Sequence, residues 1–329
     1  MPMILYYILV ILLAFAVSAV VGHFLVPALR RWKAGQSIKT DGPTWHMSKQ
    51  GTPTMGGIMF IAAITVVVLI AAILTGNVSG LLVLLFALVF GAIGFVDDHA
   101  KLKKKENTGL TAPQKFLLQL AAAIAFVALL RYTGHLTPTL YIPFFNVDLM
   151  LPWVVYMIFA AFVMVGCVNA VNITDGIDGL AAGVTVPVAL FFTVVCAITG
   201  QSALGSFAGA LLGALFGFLI YNFHPAKVFM GDTGSLFLGG AVCGLAFALD
   251  MPLILILVGI IYIAETASDI IQVAYFKLTH GKRIFRMAPL HHHLELGGWS
   301  EKKLVFVFSG ITLVFCVLAL IGVQGRFGV

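Results

Sequence analysis

Long apolar runs separated by short polar segments dominate the sequence. About 20 apolar residues in a helix cross the hydrocarbon core of a bilayer, so each run of that length predicts one transmembrane helix. The first run has no basic region before it, which favours a retained helix over a cleaved signal peptide. We therefore predict an all-α polytopic membrane protein, forming a single integral membrane domain over residues 1–329. Its ten transmembrane helices are expected to begin near Ile4, Thr54, Val78, Phe116, Val154, Leu180, Ala203, Leu236, Pro252 and Leu304.

The composition excludes a soluble domain, since 61% of the residues are hydrophobic and only 10% are charged. Four segments, 29–53, 97–115, 222–235 and 277–303, hold 17 of the 19 lysines and arginines. Cytoplasmic loops of membrane proteins carry such an excess of basic residues. We therefore expect these loops to be cytoplasmic and both termini to be extracytoplasmic. The net charge of +6 is then mainly an orientation signal.

Smaller features complete the predicted architecture. Residues 139–150, on the extracytoplasmic side, have the pattern of a short hairpin. No nucleic-acid-binding motif is present, so nucleic acid is not an expected partner. The four cysteines lie in apolar runs without paired spacing, which indicates small core side chains and no disulfide: Cys167, Cys196, Cys243 and Cys316.

Asp97 and Asp98 are adjacent carboxylates at the cytoplasmic end of the third apolar run. Between Val78 and Val96 the only polar side chain is Ser79, and these residues would rise roughly 28 Å as a helix, about one hydrocarbon thickness. The pair is therefore expected where hydrocarbon meets headgroups. Two solvated acids at a helix end are the structural alternative, although acids near a helix C-terminus oppose the macrodipole.

Lysines follow this pair, and most are explained as orienting charge. Lys101 lies four residues after Asp97 and can share its helix face, while Lys115 begins the next span just after a proline. In the first basic loop, Thr54 follows a Gly- and Pro-rich turn and is a candidate cap of the second helix. Backbone donors there could face an anion.

The fifth span ends in an unusually polar segment, residues 169–179. Asn172, Asp175 and Asp178 recur every three residues and would share one face if the helix continued. If Gly176 and Gly179 break the helix, their backbone N–H groups become available to a ligand instead. Amides that pack helices together are the structural alternative.

Asp232 lies between glycines just before the eighth span. It could cap that helix, or it could be an oxygen ligand for Mg²⁺ beside a helix N-terminus, where phosphates also bind. His224 in the same loop carries no assignment.

The ninth span contains Glu265 and Asp269, spaced as an i, i+4 pair, with Gln272 following. Counted along a straight helix from Pro252, Asp269 lies about 26 Å from the start, near the inner surface. The last cytoplasmic loop then contains three successive histidines. A zinc site lacks the further ligands that it needs, so hydrogen bonds to an anionic substrate fit better. These residues are His291, His292 and His293.

These polar groups gather at cytoplasmic helix ends and supply carboxylates, amides, lysines and histidines. Phosphoryl transfer needs charge neutralisation and in-line positioning more than covalent help from the protein. The set therefore suits the joining of a lipid phosphate to a metal-bound, soluble pyrophosphate.

Several motifs together resemble the phospho-N-acetylmuramoyl-pentapeptide transferase family of the polyprenyl-phosphate N-acetylhexosamine-1-phosphate transferase superfamily. They are residues 48–49, 51–57, 97–98, 169–179, 229–235 and 289–295, and the likeness runs nearly end to end. The sequence departs from the family pattern at His99, where Tyr is common, and at Leu294, where Phe is common. Neither change removes a chemical group.

The resemblance implies UDP-MurNAc-pentapeptide and undecaprenyl phosphate as substrates, lipid I and UMP as products, and a requirement for Mg²⁺. It also implies a homodimer in the bacterial cytoplasmic (inner) membrane, acting as a multi-pass protein with its active site facing the cytoplasm. This reaction is the first membrane step of peptidoglycan synthesis, so the resemblance links the chain to cell wall biogenesis, cell shape and cell division.

Site residues carry over from the family by position. Asp97, Asp98 and Asp232 are the implied catalytic residues, with Asp97 beside the lipid phosphate and Asp232 binding metal together with the amide oxygen of Asn172. Gly176, Ile177 and Phe229 resemble a uracil pocket. The other implied substrate-binding residues are Lys49, Thr54, Lys101, Lys115, Asn172, Asp175, Asp178, Asn222, Gln272, His291, His292 and His293.

Two other functions fit parts of the pattern. A related transferase could use UDP-GlcNAc, but the 289–293 motif favours the muramoyl-pentapeptide donor. A secondary transporter also has about ten spans, but transporters place their sites near the midplane of repeated halves. Here the acids collect at one surface and no repeat is evident.

Overall fold

The computed structural model describes residues 3–32, 49–104 and 108–327. Ser48, part of the first family motif, lies outside these ranges. The described chain is predominantly helical, and its elements are α1 (Met3–Arg31), α2 (Ile58–Thr75), α3 (Ser79–Lys104), α4 (Ala112–Tyr132), β1 (Thr139–Ile142), β2 (Val147–Met150), α5 (Trp153–Thr174), α6 (Leu180–Ile198), α7 (Ser202–Asn222), α8 (Gly231–Ala248), α9 (Leu255–Val258), α10 (Ile260–Leu278), α11 (Leu290–Glu295) and α12 (Glu301–Phe327).

Within the described ranges, nine helices are long and apolar enough to cross a membrane. A tenth span results if the broken pair Pro252–Val258 and Ile260–Leu278 crosses as one unit. The two parts meet at an angle of 81°. The straight-helix position of Asp269 was therefore wrong, because the chain turns sharply at Gly259 before that residue is reached.

The start of α2 also differs from the expectation. The helix begins at Ile58, and its N-cap residue, Gly57, makes no side-chain cap. The prediction that Thr54 caps this helix was wrong, because residues 53–57 instead lie against the start of α8. The amide N–H of Gly56 donates to the Phe229 carbonyl at 2.8 Å, and the Phe229 N–H donates to the Pro53 carbonyl at 2.8 Å.

The centre of the molecule is α8, in which residues 233–248 are all buried. Its glycines permit close approach on two sides. A Cβ on Gly239 would collide with the backbone of Val168 in α5, and one on Gly240 would crowd Phe90 in α3. Small residues allow membrane helices to pack backbone to backbone. A Cβ on Gly94 of α3 would likewise collide with the Asp232 carbonyl, so α3 contacts α8 up to the polar end of both helices.

The predicted hairpin is present as two antiparallel strands, with Thr139 opposite Met150 and Ile142 opposite Val147. It contacts the end of α12, since the Phe144 N–H donates to the Gly322 carbonyl at 2.9 Å. The cysteines are unpaired, as expected, and three of the four are buried.

Candidate active site

Asp97 and Asp98 lie inside α3, which continues for two more turns to Lys104. Both side chains are buried, at 2% and 3% exposure. The alternative of two solvated acids ending a helix is therefore wrong. Because α3 continues, Lys101 lies one turn after Asp97, and its Nζ is 2.7 Å from Asp97 Oδ2. The N–H of Leu110 donates to the other oxygen of Asp97 at 2.8 Å.

Asp98 caps the N-terminus of a different helix, α8. Its Oδ1 accepts the N–H of Asp232 at 3.1 Å, and its Oδ2 accepts the N–H and the hydroxyl of Thr233 at 2.9 and 2.7 Å. The first N–H groups of a helix have no intrahelical partner, and a carboxylate there is favoured by the macrodipole. Asp98 therefore fixes the start of α8 against α3.

Asp232 does not cap α8, so that alternative was wrong. Its Oδ2 accepts hydrogen bonds from Lys101 Nζ at 2.9 Å and Lys115 Nζ at 2.8 Å. Its Oδ1 accepts one from the side-chain amide of Asn172 at 2.9 Å. Asn172 also donates to the Ser235 hydroxyl at 2.7 Å. The amide nitrogen of Asn172 contacts Asp232, and the role of its amide oxygen as a metal ligand stays a prediction.

We call Asp97, Asp98 and Asp232, together with Lys101 and Lys115, the Asp232 cluster. One carboxylate oxygen from each aspartate lies within 4.8 Å of the others. Mg²⁺ prefers oxygen ligands and is commonly held by one or two carboxylates, so the donor set suits such an ion. The donors to Asp98 are backbone and hydroxyl groups of α8, whereas Asp97 and Asp232 are contacted mainly by lysine ammonium groups, which a bound cation could displace. The lysines are partly exposed, at 32% for Lys101 and 18% for Lys115.

The polar segment after α5 is a turn rather than a helix. α5 ends at Thr174, and Gly179 has a left-handed φ of 75°. The single helical face for Asn172, Asp175 and Asp178 is therefore wrong. The helix breaks before the glycines instead, but the Gly179 N–H already donates to Asn222 Oδ1 at 3.1 Å and is not available to a ligand. The carboxyl group of Asp175 makes no hydrogen bond or ion pair with a described residue. Burial, together with the nearby carboxylates of Asp232 and Asp98, raises the pKa of the Asp175 carboxyl well above its usual range.

Asp178 belongs to a second charged group, which we call the Lys49 cluster: Lys49, Asp178, His224 and Glu301. Lys49 Nζ lies 2.7 Å from Asp178 Oδ1 and 2.6 Å from Glu301 Oε2. His224 Nδ1 contacts Asp178 Oδ2 at 3.0 Å. The backbone N–H of Asp178 donates to Glu301 at 2.9 Å, which ties the turn to the start of α12.

Two residues expected to bind substrate also connect backbone segments. Asn222 is buried, accepts the Gly179 N–H at 3.1 Å and donates to the Val228 carbonyl at 2.9 Å. Gln272 accepts the N–H groups of Ile284 and Phe285 at 3.1 and 3.0 Å and donates to the Phe285 carbonyl at 3.3 Å. Each side-chain amide therefore supports a loop at the site.

The three histidines have three different partners. His291 Nδ1 lies 2.8 Å from Glu265 Oε2, and His292 Nδ1 lies 2.8 Å from Glu295 Oε2. His293 Nδ1 accepts the backbone N–H of Arg286 at 3.1 Å. His291 is the one that reaches the turn after α5, because a Cβ on Gly176 would collide with its ring.

The residues of the Asp232 cluster were all expected at the site, and so were Lys49 and Asp178 of the Lys49 cluster, but Glu301 and His224 were missed. Glu301 received no role, because an acid in the first turn of a helix is common and needs no special partner. His224 was named without an assignment. Ile177 is buried and Phe229 is partly exposed. The hydroxyl of Thr54 lies next to Gly231 at the start of α8.

Comparison with known proteins agrees with the resemblance. The sequence model of glycosyl transferase family 4 matches residues 80–250, and signature 1 of phospho-N-acetylmuramoyl-pentapeptide-transferase matches residues 49–61. A phospho-N-acetylmuramoyl-pentapeptide-transferase of Clostridium acetobutylicum is 48% identical, over 94% of this chain and 96% of its own length. Proteins of the same name from Staphylococcus carnosus and Clostridium botulinum are 47% and 50% identical, over 95% and 94% of this chain and 98% and 94% of their own lengths. On these matches, the chain belongs to the phospho-N-acetylmuramoyl-pentapeptide-transferase family.

Proposed function

We propose that this protein transfers phospho-MurNAc-pentapeptide from UDP-MurNAc-pentapeptide to undecaprenyl phosphate, forming lipid I and UMP. The observation that carries the proposal is the Asp232 cluster, in which three carboxylates and two lysines meet at neighbouring helix ends. Groups of this kind can balance the charge of two phosphorylated substrates. Membership of the family supplies the identity of those substrates.

The reaction exchanges one phosphorus–oxygen bond for another. An oxygen of the lipid phosphate bonds to the sugar-bearing phosphorus, the bond from that phosphorus to the bridging oxygen breaks, and UMP leaves with that oxygen and its electron pair. A phosphate monoester has a second pKa near 6, so the acceptor is mostly dianionic at about pH 7. Direct attack therefore needs no strong base, and Asp97 orients the acceptor together with Lys101.

Mg²⁺ is the proposed cofactor, and Asp232, the amide oxygen of Asn172 and the neighbouring carboxylate of Asp97 are the groups that would hold it. A bound divalent cation supplies charge neutralisation on the diphosphate. The chain's own contribution is positioning. Asp98 fixes the helix that carries Asp232, while Lys101 and Lys115 provide ammonium donors for phosphate oxygens.

The nucleoside half of the donor is proposed to bind beside the Lys49 cluster. Gly176, Ile177 and Phe229 would form the base pocket, as the family resemblance implies. Lys49 and Asp178 are held in fixed orientations there, Lys49 by Asp178 and Glu301, and Asp178 by Lys49 and His224.

The proposed setting is the bacterial cytoplasmic membrane, with the site facing the cytoplasm, both termini on the other side, and two copies forming a homodimer. The loops that carry 17 of the 19 basic residues support this orientation. No described feature favours the UDP-GlcNAc donor or the secondary transporter over this function. The relatives cited above all carry the name of the muramoyl-pentapeptide enzyme.

UMP release by purified protein, with Mg²⁺ titration, tests the proposal. Asp97→Asn and Asp232→Asn are expected to lose activity by at least about 100-fold, the usual scale for one charge-stabilising group, and Asp232→Asn is expected to weaken the metal dependence most. Equal activity in wild type and both variants would contradict the site. A wild-type preference for UDP-GlcNAc would contradict the donor. Isolation of a phosphorylated enzyme without lipid acceptor would replace direct attack by an aspartyl-phosphate intermediate.

A further inference from the structure

Glu265 is a fully buried carboxylate, with 0% of its side chain exposed, on the membrane-embedded helix α10. An ionisable group in such a position is costly and is usually retained for function. Its side-chain partners are both on His291. Oε1 accepts the backbone N–H of His291 at 3.1 Å, and Oε2 contacts the ring Nδ1 at 2.8 Å.

This two-point contact sets the place of the ring and favours one tautomer. An ionised carboxylate can only accept hydrogen bonds, so the proton of the neutral imidazole must be on Nδ1. Nε2 is then an acceptor. His291 is itself buried, at 1% exposure, so its ring has little freedom to turn away.

Nε2 is left without a partner among the described residues, although the atom is buried. It lies directly under Gly176, where any Cβ would collide with the ring. A buried polar atom without a partner is unusual and calls for an explanation. The backbone of Gly176 itself is exposed, in the turn between α5 and α6.

We propose that Glu265 is a positioning residue, which holds His291 in the Nδ1–H form so that Nε2 accepts a hydrogen bond from the sugar nucleotide at Gly176. The partner is a donor group of the nucleotide, a ribose hydroxyl or a base N–H. For this one histidine the role differs from the expected donation to an anion. The inference rests on the proposed function, because that function supplies the nucleotide.

The first test is kinetic. Glu265→Gln keeps the shape of the side chain but leaves only one oxygen to accept two N–H groups. We therefore expect kcat/KM for the sugar nucleotide to fall about 10- to 100-fold, as it does for other residues that orient a functional histidine. KM for the lipid acceptor stays unchanged. Glu265→Asp restores two acceptor oxygens and is expected to recover part of the loss. Asp148→Asn is the control, because it makes a carboxylate-to-amide change at an exposed position of the hairpin, and it stays within about threefold of wild type.

A double-mutant cycle separates positioning from general support of the fold. Residues that act through one another are not additive, so Glu265→Gln combined with His291→Gln is expected to be no worse than His291→Gln alone. Losses that multiply would overturn the proposal. So would wild-type kcat/KM in Glu265→Gln.

The last measurement determines the tautomer of His291 in the wild-type protein itself. In wild-type protein with ¹⁵N-labelled histidine, the NMR signals that disappear in His291→Gln report the tautomer of His291. We expect Nδ1 to be protonated and Nε2 to be unprotonated. A protonated Nε2 in the wild-type protein would overturn the proposal. Failure of the proposed function is distinguishable, because in that case wild type itself releases no UMP.

Discussion

The Asp232 cluster and the Lys49 cluster both pair carboxylates with lysine, but they differ in which groups complete the hydrogen bonds of those carboxylates. In the Lys49 cluster, Asp178 and Glu301 both contact Lys49 and His224. Each carboxylate also accepts a backbone N–H. In the Asp232 cluster, Asp97 and Asp232 are balanced mainly by the partly exposed Lys101 and Lys115. Lysine ammonium groups on flexible stems can move to a phosphate or give way to a cation. One group therefore suits exchange during a reaction, and the other suits fixed recognition.

The largest expected effect comes from Asp98, the member of the Asp232 cluster whose carboxylate caps α8. Asp98→Asn leaves a single acceptor oxygen for three donors, so α8 loses its fixed start and Asp232 is displaced. We expect UMP release to fall by at least about 100-fold and the apparent Tm to drop by several degrees, since an unsatisfied buried donor costs about 1–3 kcal/mol.

The control for this change is Asp148→Asn, in the hairpin, where the side chain is 61% exposed. It is expected to leave both activity and Tm within error. If Asp98→Asn loses activity while its Tm is unchanged, Asp98 acts on the substrates directly and its capping role is secondary.

An intermediate effect is expected from Glu301, which holds the Lys49 cluster together. Glu301→Gln weakens the contact to Lys49 Nζ and should raise KM for the sugar nucleotide about tenfold, the effect of losing about 1.4 kcal/mol of binding. The value of kcat should change less than about threefold, because this cluster binds the donor in both the ground and transition states.

Lys302→Gln is the control for that change, because Lys302 follows Glu301 in the chain and its side chain is exposed. Steady-state kinetics with varied donor distinguish the two clusters. If Glu301→Gln instead lost much of its kcat with an unchanged KM, Glu301 would take part in the reaction. The proposed difference between a reacting Asp232 cluster and a donor-binding Lys49 cluster would then be wrong.

The smallest effect is on stability, at Asp175, which lies between the two clusters. Its pKa is raised in the folded protein. The free energy of unfolding therefore falls as the pH rises and the carboxyl loses its proton. Asp175→Asn should therefore raise the apparent Tm by about 2 °C at pH 8. In a protein of several hundred residues, this corresponds to a gain of roughly 1 kcal/mol in the free energy of unfolding. Near pH 4, where the wild-type carboxyl is still protonated, there should be no gain.

Differential scanning fluorimetry at both pH values measures this difference. A gain of equal size at both pH values would point to a packing effect of the amide and not to the removal of charge.

How much of the site was predictable depends on whether its residues are close in sequence. Asp97 and Lys101 share a helix face, and their pairing follows from spacing alone. The spans follow from apolar run length, apart from the bend at Gly259, which no periodicity indicated. Asp98 was expected at the site, but its capping of α8 depends on how two distant helices pack.

The Lys49 cluster shows the limit more clearly. Glu301 and Asp178 are separated by 123 positions, and each has an ordinary local explanation, one as a first-turn acid and one as a turn residue. Glu265 stood out as an acid in an apolar run, yet its partner His291 lies across a bend and a loop. Pairings that tertiary packing creates leave no signal in one sequence.

The burial of α8 has a consequence for how the protein is made. This helix is the least apolar of the candidate spans and the most enclosed by its neighbours. A segment of such limited hydrophobicity partitions weakly into lipid by itself. Its glycine surfaces fit α3 and α5, which emerge from the ribosome before it. The order of synthesis therefore provides a protein-lined site in the bilayer before α8 is made. Asp232, which α8 carries, then meets side chains of earlier helices that neutralise its charge.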